Sequence, residues 1–421
     1  MTATLAVDQA VPQEQNRRPK IGIEAARRLC IDLISAEQDR LIRDRRLSRR
    51  LHIDGHLHRA RHGALDRLQI DEDALGFDSL SLLDLVGSVT SYFCLRDSGA
   101  EDLLLVHREL GQWASVVVSH LKKMGADARM GFETSGSTGA AKRVVHRFGD
   151  LDDEVDEIRG HILGPALSSA RVLSTVPPRH IYGFLWSVLL PEHAGIDALE
   201  LHRAAEGAMS RLSRRGDIVL GTPFTWERAA RAGERVAPGV TGICSAGPSS
   251  PATWQAARKL GLERLVEIYG STETGGLGWR TAWDQPFSLS ARALRDGDDL
   301  RRRACGSILP VQDHLLWIDD TRFTVAGRRD SVVQVAGTNV ATDDVRRCLQ
   351  TVEGVADAMV RLDGDRIKAL VVPVEGAADT EALEDKLRVH ASLRLSAAAR
   401  PDRYSFAASL PLTELGKPAD W

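Results

Sequence analysis

Residues 131–146 read GFETSGSTGAAKRVVH, in which small hydroxyl residues surround two glycines and a lysine follows. Glycines let backbone N–H groups turn towards an anion, hydroxyl groups add donors, and a lysine supplies a positive charge for a polyphosphate. The P-loop pattern GxxxxGK[ST] does not fit, because Ala141 precedes Lys142 and Arg143 follows it. A Rossmann GxGxxG pattern is absent as well. Taken alone, the segment is either a phosphate-binding loop or a flexible surface loop.

Three further segments follow in a fixed order: EIYGSTETGG at 267–276, VAGRRDSVVQVAGTNV at 325–340 and ELGKPAD at 414–420. Together with the first segment, this series resembles the adenylate-forming superfamily, which includes acyl-CoA and aryl-CoA ligases, luciferases and the adenylation domains of peptide synthetases. The resemblance covers residues 131–421. It implies an α/β fold in which a large N-terminal α/β domain precedes a small, mobile α+β C-terminal domain. It also implies ATP-dependent formation of an acyl-adenylate.

The resemblance implies ATP-binding roles for matching residues. The loop that holds the β- and γ-phosphates would comprise Thr134, Ser135, Gly136, Ser137, Thr138, Gly139 and Lys142. Ala141 stands where the family usually has proline, which loosens the turn without removing a donor. Tyr269 would stack on adenine, and the small residues Ser245, Ala246, Gly247 and Pro248 would wall its other face.

Further residues match the family's ribose and catalytic positions. Asp313 would accept the ribose hydroxyls, and Arg328 would reach the ribose or a phosphate. Thr272 would contact the α-phosphate, and Glu273 would hold Mg²⁺. Lys417 would bridge the ribose and the substrate carboxylate during adenylation. With Lys142, these last three form the expected catalytic set.

Two positions in the third segment suggest how the second half of the reaction would proceed. The resemblance places a domain hinge at Asp330, and rotation about it would withdraw Lys417. The same movement would bring the loop of residues 335–340 to the thiol channel, where Gly337 permits close approach of the backbone. A thiol would then attack the acyl-adenylate.

The segment PPRHIYGFLWSVLLP, at 177–191, matches the part of the fold that lines the acid pocket. It offers His180, Tyr182 and Phe184 but no carboxylate to hold an ammonium group, which argues against an α-amino acid as the substrate. The HIYGF run resembles aryl-CoA ligases, and His180 is either a structural histidine or a residue that lines an aromatic pocket. Four small residues suit the floor of a pocket for a flat ring: Gly270, Ser271, Gly275 and Gly276.

The whole pattern resembles a short subgroup of hydroxybenzoate–acyl-carrier-protein ligases from aryl-polyene and xanthomonadin-type pigment pathways. This resemblance implies a hydroxybenzoate-like acid, with ATP and Mg²⁺ as cofactors and an acyl carrier protein as the thiol acceptor. An aryl-CoA ligase that uses free CoA differs only in the acceptor. A catalytically inactive scaffold that docks carrier proteins is a third hypothesis. The intact set of Lys142, Glu273, Asp313 and Lys417 argues against it.

The elements that would position these residues fall into four parts. Residues 1–20 are polar and are expected to form a flexible tail. Residues 21–124 have the three- and four-residue apolar spacing of helices, where the family usually has a β-rich subdomain. Short β-rich runs alternate with helical ones over 125–327, the expected AMP-binding core, and residues 328–421 form the expected mobile domain.

The helical N-terminal region contains two unusual stretches. LGFDSL, at 75–80, resembles the site where acyl carrier proteins bear phosphopantetheine on a serine, here Ser79. Alternatively, Asp78 or Ser79 is the N-cap of an amphipathic helix, or the stretch derives from a carrier that has lost its arm. The Arg- and His-rich stretch at 40–68 is either a solvated helix face or a docking surface for an acidic partner.

Length, charge and composition limit the class of protein and the compartment that the sequence can indicate. With 421 residues and a formal net charge of −3, the chain is long enough for several domains and is not a general nucleic-acid binder. No apolar run has the length of a membrane span, and the N-terminal residues lack the apolar core of a signal peptide. Five scattered cysteines without CxxC spacing indicate reduced thiols, so a cytoplasmic protein without a disulfide framework or zinc site is expected.

Overall fold

The structure is a computed structural model that describes residues 19–47, 65–134, 142–164, 167, 170–297, 299–329, 332–335, 338–364, 366–374, 379–411 and 421. The described residues form two compact units. The first contains the described residues up to 283 together with 290–292, and the second contains those of 284–289 and from 293 onwards. The predicted tail and most of the Arg- and His-rich stretch lie outside the described residues.

The N-terminal part of the first unit is helical, as its apolar spacing predicts. Its helices are α1 (Ile23–Arg43), α2 (Glu72–Leu75), α3 (Ser79–Phe93), α4 (Leu103–Val106) and α5 (Leu110–Met124). The long helices α1 and α5 pack against each other through apolar residues at helical spacing, including Ala26 and Leu29 on α1 and Trp113 and Val117 on α5.

A mostly parallel sheet forms the centre of the first unit. Its strands are β3 (Val172–Ser174), β4 (Ala198–Glu200), β5 (Ile218–Gly221), β6 (Thr241–Cys244), β7 (Arg264–Ser271) and β8 (Gly275–Arg280). They lie in the order β8-β7-β6-β5-β3-β4, and only the β7–β8 pair among them is antiparallel. The carboxyl ends of β3 to β7 therefore share one edge of the sheet, which is where open α/β sheets bind ligands.

Helices cover this sheet. They are α6 (Phe148–Glu157), α7 (Ile181–Gly183), α8 (Leu190–Ala194), α9 (Ala208–Leu212), α10 (Pro223–Arg231) and α11 (Pro251–Leu260). The π-helical turns Ile158–Leu163 and Phe184–Leu189 extend α6 and join α7 to α8. Trp226 and Trp254, from α10 and α11, are buried in one core cluster with Val219 and Leu265 of the sheet. An antiparallel hairpin of β1 (Arg129–Thr134) and β2 (Lys142–Arg147) completes the unit.

The second unit is built mainly from antiparallel strands. They are β9 (Phe287–Leu289), β10 (Ala293–Asp296), β11 (Asp299–Arg302), β12 (Ile308–Leu309), β13 (Asp313–Asp319), β14 (Arg322–Arg328), β15 (Val332–Val335), β16 (Thr338–Ala341), β17 (Val355–Asp363), β18 (Arg366–Pro373) and β19 (Arg403–Phe406). The helices α12 (Thr342–Gln350) and α13 (Thr380–Arg394) accompany the β17-β18-β19 sheet. Val345, Leu349, Ile367 and Leu387 are buried in its core, as the predicted α+β pattern requires.

Two further observations bear on the sequence-based expectations. Every cysteine lies among the described residues, and all five are free thiols. Among the helices that the structure describes, none combines the length and apolar character needed to cross a bilayer.

Candidate functional site

The predicted phosphate loop begins at the end of β1 and ends at the start of β2, two strands that pair with each other. The strands pair in a register that sets Thr134 opposite Lys142, and the Lys142 N–H donates to Thr134 Oγ1 over 3.3 Å. The two outermost members of the predicted loop therefore meet at its base. Ser135, Gly136, Ser137, Thr138 and Gly139 lie outside the described residues.

The next predicted site residues lie where β7 turns into β8. Tyr269 is half-buried near the end of β7, and Thr272 and Glu273 follow in the turn. Ser271 pairs with Gly275 across this turn, and the Ser271 N–H donates to Thr274 Oγ1 over 3.1 Å. The structure thus fixes the turn that presents Thr272 and Glu273 at the carboxyl end of β7.

A histidine that the sequence analysis missed joins these two segments. His146 lies on β2, and its Nε2 is 2.6 Å from the carbonyl oxygen of Thr272. A carbonyl oxygen can only accept, so Nε2 is the donor. The hairpin that contains Lys142 is therefore hydrogen-bonded to the turn that holds Glu273.

The small-residue segment after β6 borders the same edge of the sheet. Ser245 Oγ donates to the carbonyl oxygen of Ile268 over 3.0 Å, which places this segment beside the strand position that precedes Tyr269. Ala246 has a φ of +70°, a left-handed conformation that is strained for a residue with a Cβ. Such strain is common where the backbone approaches a ligand, and Gly247 follows in the same half-buried turn.

The predicted pocket floor contains a second group that the sequence analysis missed. Gly275 and Gly276 face Glu154 of α6, whose Oε1 accepts the Gly276 N–H over 2.7 Å. A Cβ on Gly275 would lie 2.3 Å from Glu154 Oε2, so a larger residue there would have to displace this carboxylate as well as adopt a φ of +71°. On the β7 side, Gly270 pairs with Gly276 and Ser271 with Gly275.

Arg292 forms ion pairs with two carboxylates of α6. Arg292 Nη2 lies 3.1 Å from Glu154 Oε2, and Arg292 Nε lies 3.0 Å from Glu157 Oε2. Burial lowers the pKa of Arg292, but the charges of Glu154 and Glu157 and the hydrogen bond to Glu157 outweigh it and raise the pKa. A charged pair thus lies beside the glycines that were expected to accommodate a ring.

The HIYGF segment lies at the start of the π-containing helix. His180 is half-buried at the N-cap of α7. Tyr182 is buried, and its hydroxyl lies 3.1 Å from the carbonyl oxygen of Gly221 and 2.8 Å from that of Ile243, at the ends of β5 and β6. Phe184 is fully buried and packs in an aromatic cluster with Phe132 and other rings. Tyr182 and Phe184 therefore both make contacts that stabilise the fold, and these contacts do not depend on a substrate.

The N-terminal helices hold the residues that precede His180. Tyr92 on α3 donates to the carbonyl oxygen of Pro178 over 3.3 Å. Asp32 on α1 accepts from the backbone N–H and the guanidinium of Arg179, over 3.3 and 2.9 Å. The helical N-terminal region therefore supports the predicted pocket segment.

Asp32 is the centre of a buried charge network. His202 Nε2 and Arg203 also contact its carboxylate, at 3.1 and 3.2 Å. Burial raises the pKa of Asp32, but the cations and the hydrogen bond from His202 outweigh it and hold that pKa well below its usual range. Burial lowers the pKa of His202, whereas the hydrogen bonds and charges of Asp32 and Glu200 raise it overall.

In the second unit, two residues predicted to bind the nucleotide are neighbours. Asp313 begins β13 and pairs in register with Arg328, which ends β14. Arg328 is exposed and donates to Gln312 Oε1 over 2.6 Å. The structure therefore brings a carboxylate and a guanidinium to the same end of this strand pair.

Three predicted residues of the C-terminal part lie outside the described residues: Asp330, Gly337 and Lys417. The strands that flank Gly337 are described, and β15 pairs with β16 with Val335 opposite Thr338. The hinge, the thiol channel and the catalytic lysine stay predictions.

The described residues fit a magnesium ion held jointly with a nucleotide. In the part of the chain that the structure describes, no group of three or more His, Cys, Asp or Glu side chains could enclose a metal. Mg²⁺ usually takes one or two protein carboxylates and completes its shell with phosphate oxygens and water. A single carboxylate such as that of Glu273, in a turn hydrogen-bonded to the hairpin that is predicted to bind phosphate, has this donor chemistry.

Comparison with known protein families assigns most of the chain. Residues 132–338 match the AMP-binding enzyme family, and residues 347–417 match the AMP-binding enzyme C-terminal domain.

Relatives and a solved structure agree with this assignment. A 4-coumarate–CoA ligase of Cereibacter sphaeroides is 45% identical over 94% of this chain and 96% of its own length. One from Rhodobacter capsulatus is 40% identical over 84% and 92%. ATP-bound MatB from Rhodopseudomonas palustris, at 18% identity, superposes with a TM-score of 0.57 over 74% of this chain and 71% of its own. The chain therefore belongs to the AMP-binding enzyme family and has the fold of the adenylate-forming ligases.

Proposed function

We propose that this protein uses ATP to activate a hydroxylated aromatic carboxylic acid as an acyl-adenylate and then transfers the acyl group to the thiol of CoA. The observation that carries the proposal is a hydrogen bond between two segments that are both predicted to contact the phosphates of ATP, the β1–β2 hairpin and the β7–β8 turn. The Thr134–Lys142 pair closes the base of the predicted phosphate loop, and His146 of the same hairpin bonds the turn that holds Thr272 and Glu273.

The first half-reaction needs two anions to approach each other. A carboxylate oxygen attacks the α-phosphorus, a new O–P bond forms, and the α–β phosphoanhydride bond breaks with pyrophosphate as the leaving group. Lys142 is proposed to neutralise the outer phosphates, and Thr272 to orient the α-phosphate by its hydroxyl. Mg²⁺, when bound, screens the phosphate charge, and Glu273 is proposed to hold it.

The second half-reaction consumes the mixed anhydride. A thiolate attacks the acyl carbonyl, the C–S bond forms, and AMP leaves with the electron pair of the C–O bond. We propose that Asp313 and Arg328 bind the ribose in both steps, and that Lys417 acts only in the first. Asp330 and Gly337 are proposed as the hinge and as part of the thiol channel.

The relatives' names support the choice of CoA and of a 4-coumarate-like acid. The basic N-terminal region gives less support to an acidic carrier protein, because two of its described arginines, Arg40 and Arg46, already contact acids. The Arg40 guanidinium donates hydrogen bonds to Glu37 and Asp84, and the Arg46 guanidinium lies 3.6 Å from the Asp84 carboxylate. The hydroxybenzoate–carrier-protein ligase of a pigment pathway, which the sequence resembles, remains the alternative.

Pyrophosphate exchange tests the proposal directly, since it reports adenylation without any acceptor. We expect exchange with 4-coumarate or 4-hydroxybenzoate and none with α-amino acids. Thioester formation is then measured with CoA and with a phosphopantetheinylated acyl carrier protein at equal concentration. Absence of exchange with every aromatic acid rejects the adenylating function, whereas faster turnover with the carrier protein rejects CoA as the acceptor.

A further inference from the structure

We propose that His146 is a positioning residue for adenylation: its imidazole fixes the turn that presents Thr272 to the α-phosphate and Glu273 to the metal. The inference rests on the proposed function and deepens it. His146 itself touches neither nucleotide nor acid in this proposal, and it acts through the backbone of Thr272.

The location of His146 on β2 gives it this reach. Residues four apart on a strand point to the same face, so His146 and Lys142 share a face, about 13 Å apart along the strand. Lys142 is exposed at one end of β2, and His146 is the buried residue of the strand, with 5% of its surface accessible. One strand thus presents a cation at the loop and a donor at the turn.

The ring of His146 is held in place by packing. Its centroid lies 5.8 Å from that of Phe132, at an interplanar angle of 64°. Phe132 is itself fully buried against Tyr92 and Phe184. Because the ring has little freedom, its Nε2–H defines one position for the Thr272 carbonyl oxygen, 2.6 Å away.

That carbonyl controls the orientation of both functional side chains. The peptide plane between Thr272 and Glu273 contains the bonded oxygen, so fixing it sets the directions in which the two side chains leave the backbone. The other end of the turn is fixed by Thr274, whose hydroxyl accepts the Ser271 N–H. His146 therefore supplies the external restraint on Thr272.

A restraint of this kind matters for rate more than for substrate affinity. Displacement of a reacting or charge-stabilising group by about 1 Å can lower a rate on the order of 100-fold. The predicted pocket-floor residues that flank the turn have restraints of their own, the Ser271–Gly275 pair and the Ser271–Thr274 hydrogen bond, so the acid KM should not depend on His146. Loss of the His146 hydrogen bond should instead weaken metal binding and disturb the orientation of the α-phosphate.

The test uses three substitutions of His146, two of which remove the hydrogen-bond donor and one of which keeps a donor. His146→Leu removes the donor, His146→Phe removes it while keeping a ring, and His146→Gln keeps an amide N–H at a comparable distance from the backbone. His193 provides the control, because its side chain is largely inaccessible in the same unit and its Nε2 lies 3.0 Å from Asp152 Oδ1. His193→Leu therefore reports the loss of a buried histidine away from the proposed site.

Pyrophosphate exchange is measured as a function of ATP, Mg²⁺ and acid concentration, at a temperature where melting curves show every variant folded. We expect His146→Leu and His146→Phe to lower kcat about 10- to 100-fold and to raise the Mg²⁺ concentration for half-maximal rate, with the acid KM unchanged. His146→Gln should recover most of the rate, and His193→Leu should keep the wild-type rate. Wild-type kcat in His146→Leu, or equal losses in His146→Gln and His146→Leu, would overturn the inference.

A binding measurement separates this inference from the proposed function. If the wild-type protein exchanges pyrophosphate with no aromatic acid, the proposed function fails, and calorimetric titration with MgATP still tests His146. Weaker MgATP binding in His146→Leu that is restored in His146→Gln then supports the positioning role. Equal MgATP affinity in the wild type and both variants rejects it.

Discussion

The carboxylate of Glu154 lies directly over the backbone of Gly276 and accepts its N–H over 2.7 Å. The same carboxylate would clash with a Cβ on Gly275 and is paired with Arg292. The two glycines were expected to provide room for a flat ring. They also provide room for a buried charged group, which favours glycine here independently of any substrate.

We expect Gly275→Ala to destabilise the protein more than Gly195→Ala does. Both glycines have positive φ, +71° and +65°, but a Cβ on Gly195 would meet no atom within 4 Å. A left-handed backbone costs an alanine about 1–2 kcal/mol in each variant. Overpacking against Glu154 should add about 1–3 kcal/mol for Gly275→Ala. Urea unfolding of the two variants measures the difference, and equal losses would show that Glu154 moves away without cost.

The sequence predicted elements well where the information is local. Each of these elements can be recognised from one contiguous stretch of sequence. The apolar spacing predicts α1 and α5, and β-rich runs predict β5 and β7. The loop base formed by Thr134 and Lys142 also follows from one contiguous motif.

Contacts between distant segments could not be predicted in this way. His146 and Thr272 are 126 positions apart, and Glu154 and Gly276 are 122 apart. Neither pair leaves a local pattern, because hydrogen bonds across the fold depend on how the hairpin and α6 pack against the sheet. The one local signal is that His146 follows Lys142 by four positions in the β-rich run KRVVHR, which puts a hydrogen-bonding side chain on the same face as the lysine.

The stability contributed by His202 should fall as the pH rises. The pKa of His202 is raised above its ordinary value of 6.5, mainly because bonds to Asp32 and Glu200 outweigh the effect of burial. Its contribution is therefore fully present below the unfolded pKa and is lost as the pH rises through the folded pKa. Asp32, with a lowered pKa, stays ionised over this window. The unfolding free energies of wild type and His202→Gln, measured between about pH 6 and 9, should converge at the alkaline end.

An opposite trend would contradict this assignment. If the difference between wild type and His202→Gln grew with pH, His202 would have to act as a neutral group in the folded state. His390→Gln serves as a control, because His390 lies on α13 of the second unit, where its Nε2 is 3.1 Å from the hydroxyl oxygen of Thr351. That variant should not reproduce the convergence.

Replacement of Tyr182 by phenylalanine separates a structural from a substrate-binding role. The Tyr182 hydroxyl bonds the ends of β5 and β6, and burial raises its pKa well above the usual value. Loss of a buried hydroxyl bond should cost about 1 kcal/mol of unfolding free energy. If the contact is structural, the KM for the aromatic acid should stay unchanged in pyrophosphate exchange. A raised acid KM at unchanged ATP KM would instead place Tyr182 in contact with the acid.

The carrier-like motif is a capped helix start in this structure. Asp78 is the N-cap of α3, and its Oδ1 accepts the Ser81 N–H over 2.7 Å, whereas Ser79 is the exposed first residue of the helix. We therefore expect Asp78→Ala to lower the urea midpoint and Ser79→Ala to leave it nearly unchanged. Incubation with a phosphopantetheinyl transferase and CoA should add no mass to the intact chain. A mass increase that disappears in Ser79→Ala would instead make the protein a self-loading ligase.

Replacement of Lys417 should separate the two half-reactions. The lysine of the ELGKPAD segment is proposed to neutralise the substrate carboxylate and to contact the ribose only while the acyl-adenylate forms. Lys417→Ala should therefore slow pyrophosphate exchange by about 100-fold or more, as loss of a charge-stabilising donor does. Thioester formation from synthetic acyl-AMP should continue at nearly the wild-type rate, because the anhydride is already made. Lys386, exposed on α13, is the matched control, and Lys386→Ala should change neither rate. Equal losses in both half-reactions of Lys417→Ala would point to a general defect in nucleotide binding, and normal exchange would remove Lys417 from the mechanism.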